Sequence, residues 1–163
     1  MLVNTRSVNA IGIGEMLVTR NREDIIKTYA LGSCVAVMIY DKDGIGGMVH
    51  IALPDSSIIE DADNKPSGYF ADKALPALIE KMKRFGSSLK KIWIKIAGGS
   101  DSNYENDNFN IGKRNILAVK KFLWKNGLGI ISEETGGKIS RTVELHLNDG
   151  KIMVSSNGNK WTI

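Results

Sequence analysis

Cys34 and His50 are the residues whose types and spacing offer the clearest chemistry in this sequence. Each lies in a run of alternating residues, and a turn signal separates the two runs, which predicts an antiparallel hairpin. If Tyr40 pairs with Gly44, Cys34 falls directly opposite His50 on one face, where Cβ atoms lie about 4.5–5.5 Å apart. A bulge in the glycine-rich residues 44–47 would break this register.

A thiol beside an imidazole is suited to nucleophilic catalysis. The thiolate is the nucleophile, and a free thiol with a pKa of about 8.5 is mostly protonated at neutral pH. A nearby imidazole takes that proton and later returns it to a leaving group. Gly32 and Ser33 precede Cys34, and such small residues permit a tight turn that leaves backbone amides near the sulfur. The pattern therefore predicts Cys34 as nucleophile, His50 as base and an oxyanion site at this turn.

The same residue types also have structural interpretations, which stay open at this point. A lone cysteine is usually a buried, inert, small apolar residue, and a lone histidine in a strand is usually structural. His146 shares the polar face of its strand with Glu144 and Thr142, so we expect it to be exposed and without a role. A metal site built from Cys34, His50 and His146 would need a fourth ligand, and no motif with ligand spacing supports one.

The composition is that of a globular chain. It has 163 residues, of which 42% are hydrophobic and 25% charged, so we expect residues 1–163 to form a single domain around one core. The single cysteine excludes an internal disulfide and a multi-cysteine zinc site. The net charge of +4 comes from scattered basic residues, which gives little support for nucleic-acid binding. Short apolar runs and the lack of a secretion signal favour a cytoplasmic protein without membrane insertion.

The predicted elements favour an α+β fold. Apolar and β-branched runs predict strands, which we place at residues 16–19, 25–31, 34–40, 47–53, 92–96, 128–131, 141–147 and 152–154. Their order is not a regular alternation of strand and helix, which favours a largely antiparallel or mixed sheet.

Two helices are predicted from apolar residues spaced three and four apart. The first covers residues 69–85, with Ser67 as a candidate cap. Pro76 lies inside it, so this helix is expected to be kinked or to begin later than the pattern suggests. The second is expected from Gly112 or Lys113 to Lys125.

Several blocks of sequence follow one another in the order and spacing of a known family. The cysteine block reads TYALGSCVAV at residues 28–37, and the histidine block reads GMVHIALP at residues 47–54. Further blocks lie at residues 11–15, 69–72, 96–99, 110–115 and 135–143. Together they resemble the CheD family, the chemoreceptor glutamine deamidases of bacterial and archaeal chemotaxis, and the resemblance covers roughly residues 10–155, which is nearly the whole chain.

The resemblance implies a three-layer α/β sandwich and a catalytic set of Cys34, His50 and Thr28. Cys34 would be the nucleophile and His50 the general base, while Thr28 would orient the histidine or stabilise its charged form. The implied activity is that of a protein-glutamine glutaminase, which hydrolyses specific glutamine side-chain amides on methyl-accepting chemotaxis receptors to glutamate and ammonia. The reaction would pass through a cysteine thioester without a metal or organic cofactor, and some family members also hydrolyse receptor glutamyl methyl esters.

A CheC-type phosphatase is the further partner that the resemblance implies. Two alternatives stay open: the chain is mainly a regulatory partner of that phosphatase, or it is a peptide-cleaving thiol enzyme that uses the same residues. A thiol redox role is disfavoured because the chain has no resolving cysteine. The sequence departs from the family pattern at Ala30, where glycine is common, and at residues 100–102, where an apolar-rich loop is more usual.

Overall fold

The computed structural model describes residues 5–101 and 109–163, whose strands form two mixed five-stranded sheets. In spatial order, the first sheet contains β1 (Ser7–Ala10), β3 (Asp24–Leu31), β8 (Arg141–His146), β9 (Ile152–Ser156) and β10 (Asn159–Thr162). The second contains β2 (Met16–Thr19), β5 (Ile45–Ile51), β4 (Val35–Asp41), β6 (Ile92–Gly98) and β7 (Ile130–Thr135). Two helices, α1 (Ala71–Arg84) and α2 (Ile111–Lys125), pack on the second sheet.

The second sheet is the middle layer, with an apolar core on each face. Alternate residues of β4 belong to the two cores, so that Val37 packs under the helices and Met38 packs against the first sheet. A strand covered on both faces reads as a continuous apolar run, and every residue of β4 is buried. The order of helices, second sheet and first sheet confirms the predicted three-layer α+β sandwich. The sequence pattern predicts a single sheet, whereas the structure has two. The second sheet is present because β4 and β5 are apolar on both faces, and each face must pack against another layer.

The β4–β5 hairpin corrects the predicted register. Asp41 pairs with Ile45 around a three-residue loop, so Ala36 rather than Cys34 lies opposite His50. The prediction of direct pairing between Cys34 and His50 is therefore wrong. The predicted and observed registers differ by an even number of residues. Because side chains in a strand alternate with period two, Cys34 and His50 still share the face toward the first sheet.

The helices lie close to their predicted positions. α1 begins at Ala71, two residues later than expected, and Ser67 falls before the cap position, so the predicted cap is wrong. Pro76 remains inside this helix and is exposed, so the backbone carbonyl that loses its helical partner is on the solvent side. α2 begins at Ile111. In residues 5–101 and 109–163, neither helix is long and apolar enough to cross a membrane.

Candidate active site

Thr28 and His50 meet between the two sheets, where they are 0% and 4% exposed. The hydroxyl oxygen of Thr28 lies 2.7 Å from Nδ1 of His50, and the hydroxyl donates to the backbone carbonyl of Ile11 at 2.9 Å. Because a hydroxyl carries only one proton, it accepts a hydrogen bond from Nδ1–H of His50. The unprotonated nitrogen is then Nε2, which is buried and has no hydrogen-bond partner among the described residues. These contacts select the tautomer that a general base at Nε2 requires.

A β-bulge in β3 sets the direction of Thr28. The register with β8 shifts between Thr28 and Leu31, where Ala30 has a φ of 51°. Residues 28 and 31 would face opposite sides of a regular strand, yet both are fully buried here because the bulge contributes one extra residue. The backbone amide of Ala30 donates to the Thr142 hydroxyl at 3.1 Å. The bulge lets Thr28 contact His50 while Leu31 also packs inward.

Cys34 lies one residue before β4 and is half-buried against the core between the sheets. Since Ala36 pairs with His50, Cys34 is a diagonal neighbour of the histidine on the same face. Diagonal neighbours of an antiparallel pair are about 7–8 Å apart at the backbone, which is within reach of an imidazole ring. The thiol and Nε2 are not hydrogen-bonded to each other in this structure, and catalytic hydrogen bonds often form only when substrate is bound.

The turn before β4 is held by its carbonyl groups. The carbonyls of residues 32, 33 and 34 accept, in that order, from the Ser100 N–H at 2.9 Å, the Asn115 Nδ2 at 2.9 Å and the Gly99 N–H at 2.8 Å. Within the described ranges, no residue accepts a hydrogen bond from the N–H groups of residues 32–34. All three residues are half-buried rather than fully enclosed. Successive amide groups without internal acceptors are suited to binding an anion.

Gly98 allows the backbone of β6 to approach Cys34 closely. Its φ of 109° lies in the region that favours glycine, and a Cβ at this position would overlap the carbonyl oxygen of Cys34. The sequence pattern indicates only a turn at residues 98–99. The steric requirement appears once Gly98 is paired with Val35 across the sheet, and the only earlier signal is the similarity of residues 96–99 to a family block.

Burial determines the protonation of both candidate groups. Burial raises the pKa of the Cys34 thiol above its ordinary value of 9.0. Burial also lowers the pKa of His50 below its ordinary value of 6.5, because a low-dielectric surrounding disfavours each charged form. At neutral pH the two groups are therefore a thiol and a neutral imidazole. The sulfur must lose its proton during attack, which requires a base within reach.

His146 lies apart from this site, on the outer face of the first sheet. Its Nε2 is 3.0 Å from a carboxylate oxygen of Glu144 and its Nδ1 is 3.3 Å from Arg6. These neighbours leave it half-buried, so the prediction that it is exposed is wrong. The structure does not bring His146 together with Cys34 and His50, and no cluster of three or more metal-ligating side chains occurs in the described part of the chain.

Relatives of this chain match it along nearly its whole length. The model of the CheD family, described as "CheD chemotactic sensory transduction", matches residues 52–156. The "Probable chemoreceptor glutamine deamidase CheD" of Syntrophotalea carbinolica is 46% identical, over 94% of this chain and 97% of that protein. The "Chemoreceptor glutamine deamidase CheD" of Thermotoga maritima is 43% identical, over 91% of both chains.

A solved structure with some likeness is that of the Bacillus licheniformis hypothetical protein YfiH, with a TM-score of 0.48 and 12% identity over 82% of this chain and 60% of that one. The family model and the two relatives point to the family that the sequence blocks resemble. This chain belongs to the CheD family.

Proposed function

We propose that this protein is a chemoreceptor glutamine deamidase that hydrolyses glutamine side-chain amides on methyl-accepting chemotaxis receptors. The observation that carries the proposal is the buried contact between Thr28 and His50, which leaves Nε2 of the histidine free on the face shared with Cys34. The names of the relatives supply the substrate class. The half-buried turn at residues 32–34 supplies unbonded amide groups beside the thiol.

Attack on the amide is the first step of the proposed reaction. Nε2 of His50 takes the Cys34 proton as the sulfur bonds to the carboxamide carbon of the substrate glutamine. The carbonyl oxygen becomes an oxyanion, which the N–H groups of residues 32–34 stabilise. The Thr28 hydroxyl keeps its hydrogen bond from Nδ1–H, 2.7 Å away, throughout this step. It therefore holds the ring and stabilises the imidazolium that forms.

Release of ammonia and hydrolysis complete the cycle. Protonated His50 gives its proton to the amide nitrogen, the C–N bond breaks, and ammonia leaves behind a thioester with Cys34. Water then attacks the thioester as neutral His50 takes a proton from the water, and the C–S bond breaks as His50 returns that proton to the departing sulfur. The products are glutamate and the regenerated thiol. The thioester divides one difficult hydrolysis into two easier steps, so the chemistry calls for no oxidant, metal or organic cofactor.

The test is conversion of glutamine to glutamate in a purified receptor, followed by mass spectrometry of receptor peptides. We expect Cys34→Ala to abolish conversion and His50→Ala to lower the rate by about 10²-fold or more. His146→Ala removes the chain's other histidine, which lies on the outer face, and is expected to keep the native rate. Undiminished conversion by Cys34→Ala would exclude this cysteine as the nucleophile.

The same assay separates the remaining candidate functions. Release of ammonia without peptide fragments distinguishes deamidation from peptide cleavage by the same thiol.

We also propose a CheC-type phosphatase as a binding partner, on family membership alone. A tight complex with that phosphatase, combined with no deamidation of any receptor from the same cell, would favour a mainly regulatory role.

A further inference from the structure

Asn115 is a fully buried polar residue on α2, with 0% exposure. Its side-chain nitrogen Nδ2 donates to the backbone carbonyl of Ser33 at 2.9 Å and to that of Ala52 at 3.0 Å. Its Nδ2 carries two protons, and both are used in these two bonds. A single side chain thus binds two backbone segments that flank different strands of the middle sheet, one before β4 and one after β5.

The two carbonyls stand at the open end of the β4–β5 ladder. The last pair of that ladder is Val35 with Ile51. Ser33 immediately precedes Cys34, and Ala52 lies two residues after His50. The side chain of Asn115 therefore links the strands just beyond their last pair. It fixes the segment that carries the thiol relative to the segment that carries the imidazole.

The amide binds two carbonyls but leaves one buried polar atom of its own unsatisfied. The Oδ1 atom of Asn115 is buried without a hydrogen-bond partner among the described residues. Leaving such a buried acceptor unsatisfied costs about 1–3 kcal/mol. The next two residues on the same buried helix face are Val119 and Leu123, which shows that apolar side chains suit this face. Packing alone does not account for an amide here.

We infer that Asn115 is a positioning residue for deamidation, an inference that rests on the function proposed above. It is buried and contacts backbone carbonyls, so it acts on the reaction through the placement of Cys34 relative to His50. Transfer of a proton from sulfur to Nε2 depends steeply on their separation, and a displacement of 1 Å can cost about 10²-fold in rate. Asn115 is fully buried and cannot touch substrate, so we expect it to contribute to kcat rather than to KM.

The test compares Asn115→Leu with Val119→Ala, which alters the same helix face one turn away without touching either carbonyl. We expect Asn115→Leu to lower kcat for receptor deamidation by about tenfold or more while KM stays within about twofold. Val119→Ala is expected to keep kcat within about twofold, even where thermal unfolding shows an equal loss of stability. Native kcat in Asn115→Leu, or parallel losses of kcat and stability in both variants, would overturn the inference.

A second readout is independent of the receptor. Alkylation of Cys34 by iodoacetamide at pH 7 reports how well His50 accepts the thiol proton. We expect Asn115→Leu to slow alkylation in the native background and to have no further effect in the His50→Ala background, because it acts through the histidine. Equal slowing in both backgrounds would overturn the inference. If Asn115→Leu fails to fold, Asn115→Ala, which removes both donors in a smaller side chain, takes its place in the same cycle. If the wild-type protein deamidates no receptor, the proposed function is refuted. The alkylation rates of the four proteins would still test whether Asn115 acts through His50.

Discussion

At His50, one hydroxyl group determines which ring nitrogen carries the proton. Thr28 lies 2.7 Å from Nδ1 and donates its own proton to the Ile11 carbonyl, so Nδ1 is protonated and Nε2 carries the lone pair that the proposed base needs. A neutral imidazole of the other tautomer would present a proton where the reaction needs a lone pair. The role that we propose for Thr28 is therefore one of orientation, and its hydroxyl need not contact substrate.

Thr28→Val tests this role because valine has nearly the same shape as threonine but accepts no hydrogen bond. We expect kcat to fall by about tenfold or more, in line with loss of a buried hydrogen bond worth about 1.4 kcal/mol or more. Nitrogen NMR of His50 should show protonation of Nδ1 in the native protein and a mixture of tautomers in Thr28→Val. Thr28→Ser keeps the hydroxyl and is the matched control. A Thr28→Val protein with native kcat would contradict the assignment.

The pH dependence of kcat/KM follows from the two pKa directions. The reactive pair must hold one proton in total, because the base must be free and the leaving nitrogen must still receive a proton. Burial lowers the pKa of His50, so activity is lost on acidification only below 6.5. Burial raises the pKa of Cys34, so activity is lost on the alkaline side only above 9.0. We expect a broad bell-shaped profile whose limbs lie outside these values, and an acidic limb above 6.5 would contradict it.

At the scale of elements, the turn at residues 32–34 depends on its neighbours for its shape. Gly98 of β6 sits against the Cys34 carbonyl, and a Cβ there would overlap that oxygen. We expect Gly98→Ala to displace Cys34, to destabilise the fold by about 2 kcal/mol or more, and to lower kcat at temperatures where the protein is still folded. Circular dichroism and the receptor assay measure the two effects.

Gly127→Ala is the matched control for Gly98→Ala. Gly127 also has a positive φ, of 69°, but a Cβ there would meet no atom within 4 Å. Alanine at Gly127 should therefore cost only the conformational strain of about 1–2 kcal/mol and leave kcat unchanged. Equal loss of kcat in both variants would show that the approach of Gly98 to Cys34 has no particular importance.

The β4–β5 hairpin shows how far the sequence could predict this site. Alternation of apolar residues correctly assigns Cys34 and His50 to one face, but it contains no information that separates registers differing by an even number of residues. The bulge after Thr28 is also hidden, because it makes an apparently continuous strand change face at Ala30. The contact of Thr28 with His50 therefore came from the family resemblance and not from periodicity.

Asn115 was missed for a different physical reason. An asparagine within an amphipathic helix is ordinarily assigned to the solvent face, since polar residues are seldom fully buried. Its two acceptors, the carbonyls of Ser33 and Ala52, lie 82 and 63 residues away in sequence. Helical spacing describes the helix alone and cannot report such distant partners. Only the match of residues 110–115 to a family block marked this segment in advance.

For the whole molecule, the candidate site draws on all three layers. Thr28 belongs to the first sheet, His50 to the middle sheet, and Asn115 to a helix that packs on the other side of the middle sheet. The two cores that hold these layers together are separate clusters of buried residues. Only the core between the sheets sets the distance between Thr28 and His50. The contact between Thr28 and His50 should therefore be more sensitive to this core than to the core under the helices.

Leu145→Ala and Leu78→Ala compare the two cores with one type of substitution. Both leucines are fully buried, Leu145 between the sheets and Leu78 under α1. Each substitution should lower the free energy of unfolding by about 2–5 kcal/mol, because each leaves a cavity. At a temperature where both variants are folded, we expect Leu145→Ala to lose kcat as the first sheet shifts against His50, while Leu78→Ala keeps most of it. The two variants are assayed the same number of degrees below their own unfolding temperatures. Equal kcat would then mean that the packing between the sheets does not control the placement of Thr28 against His50.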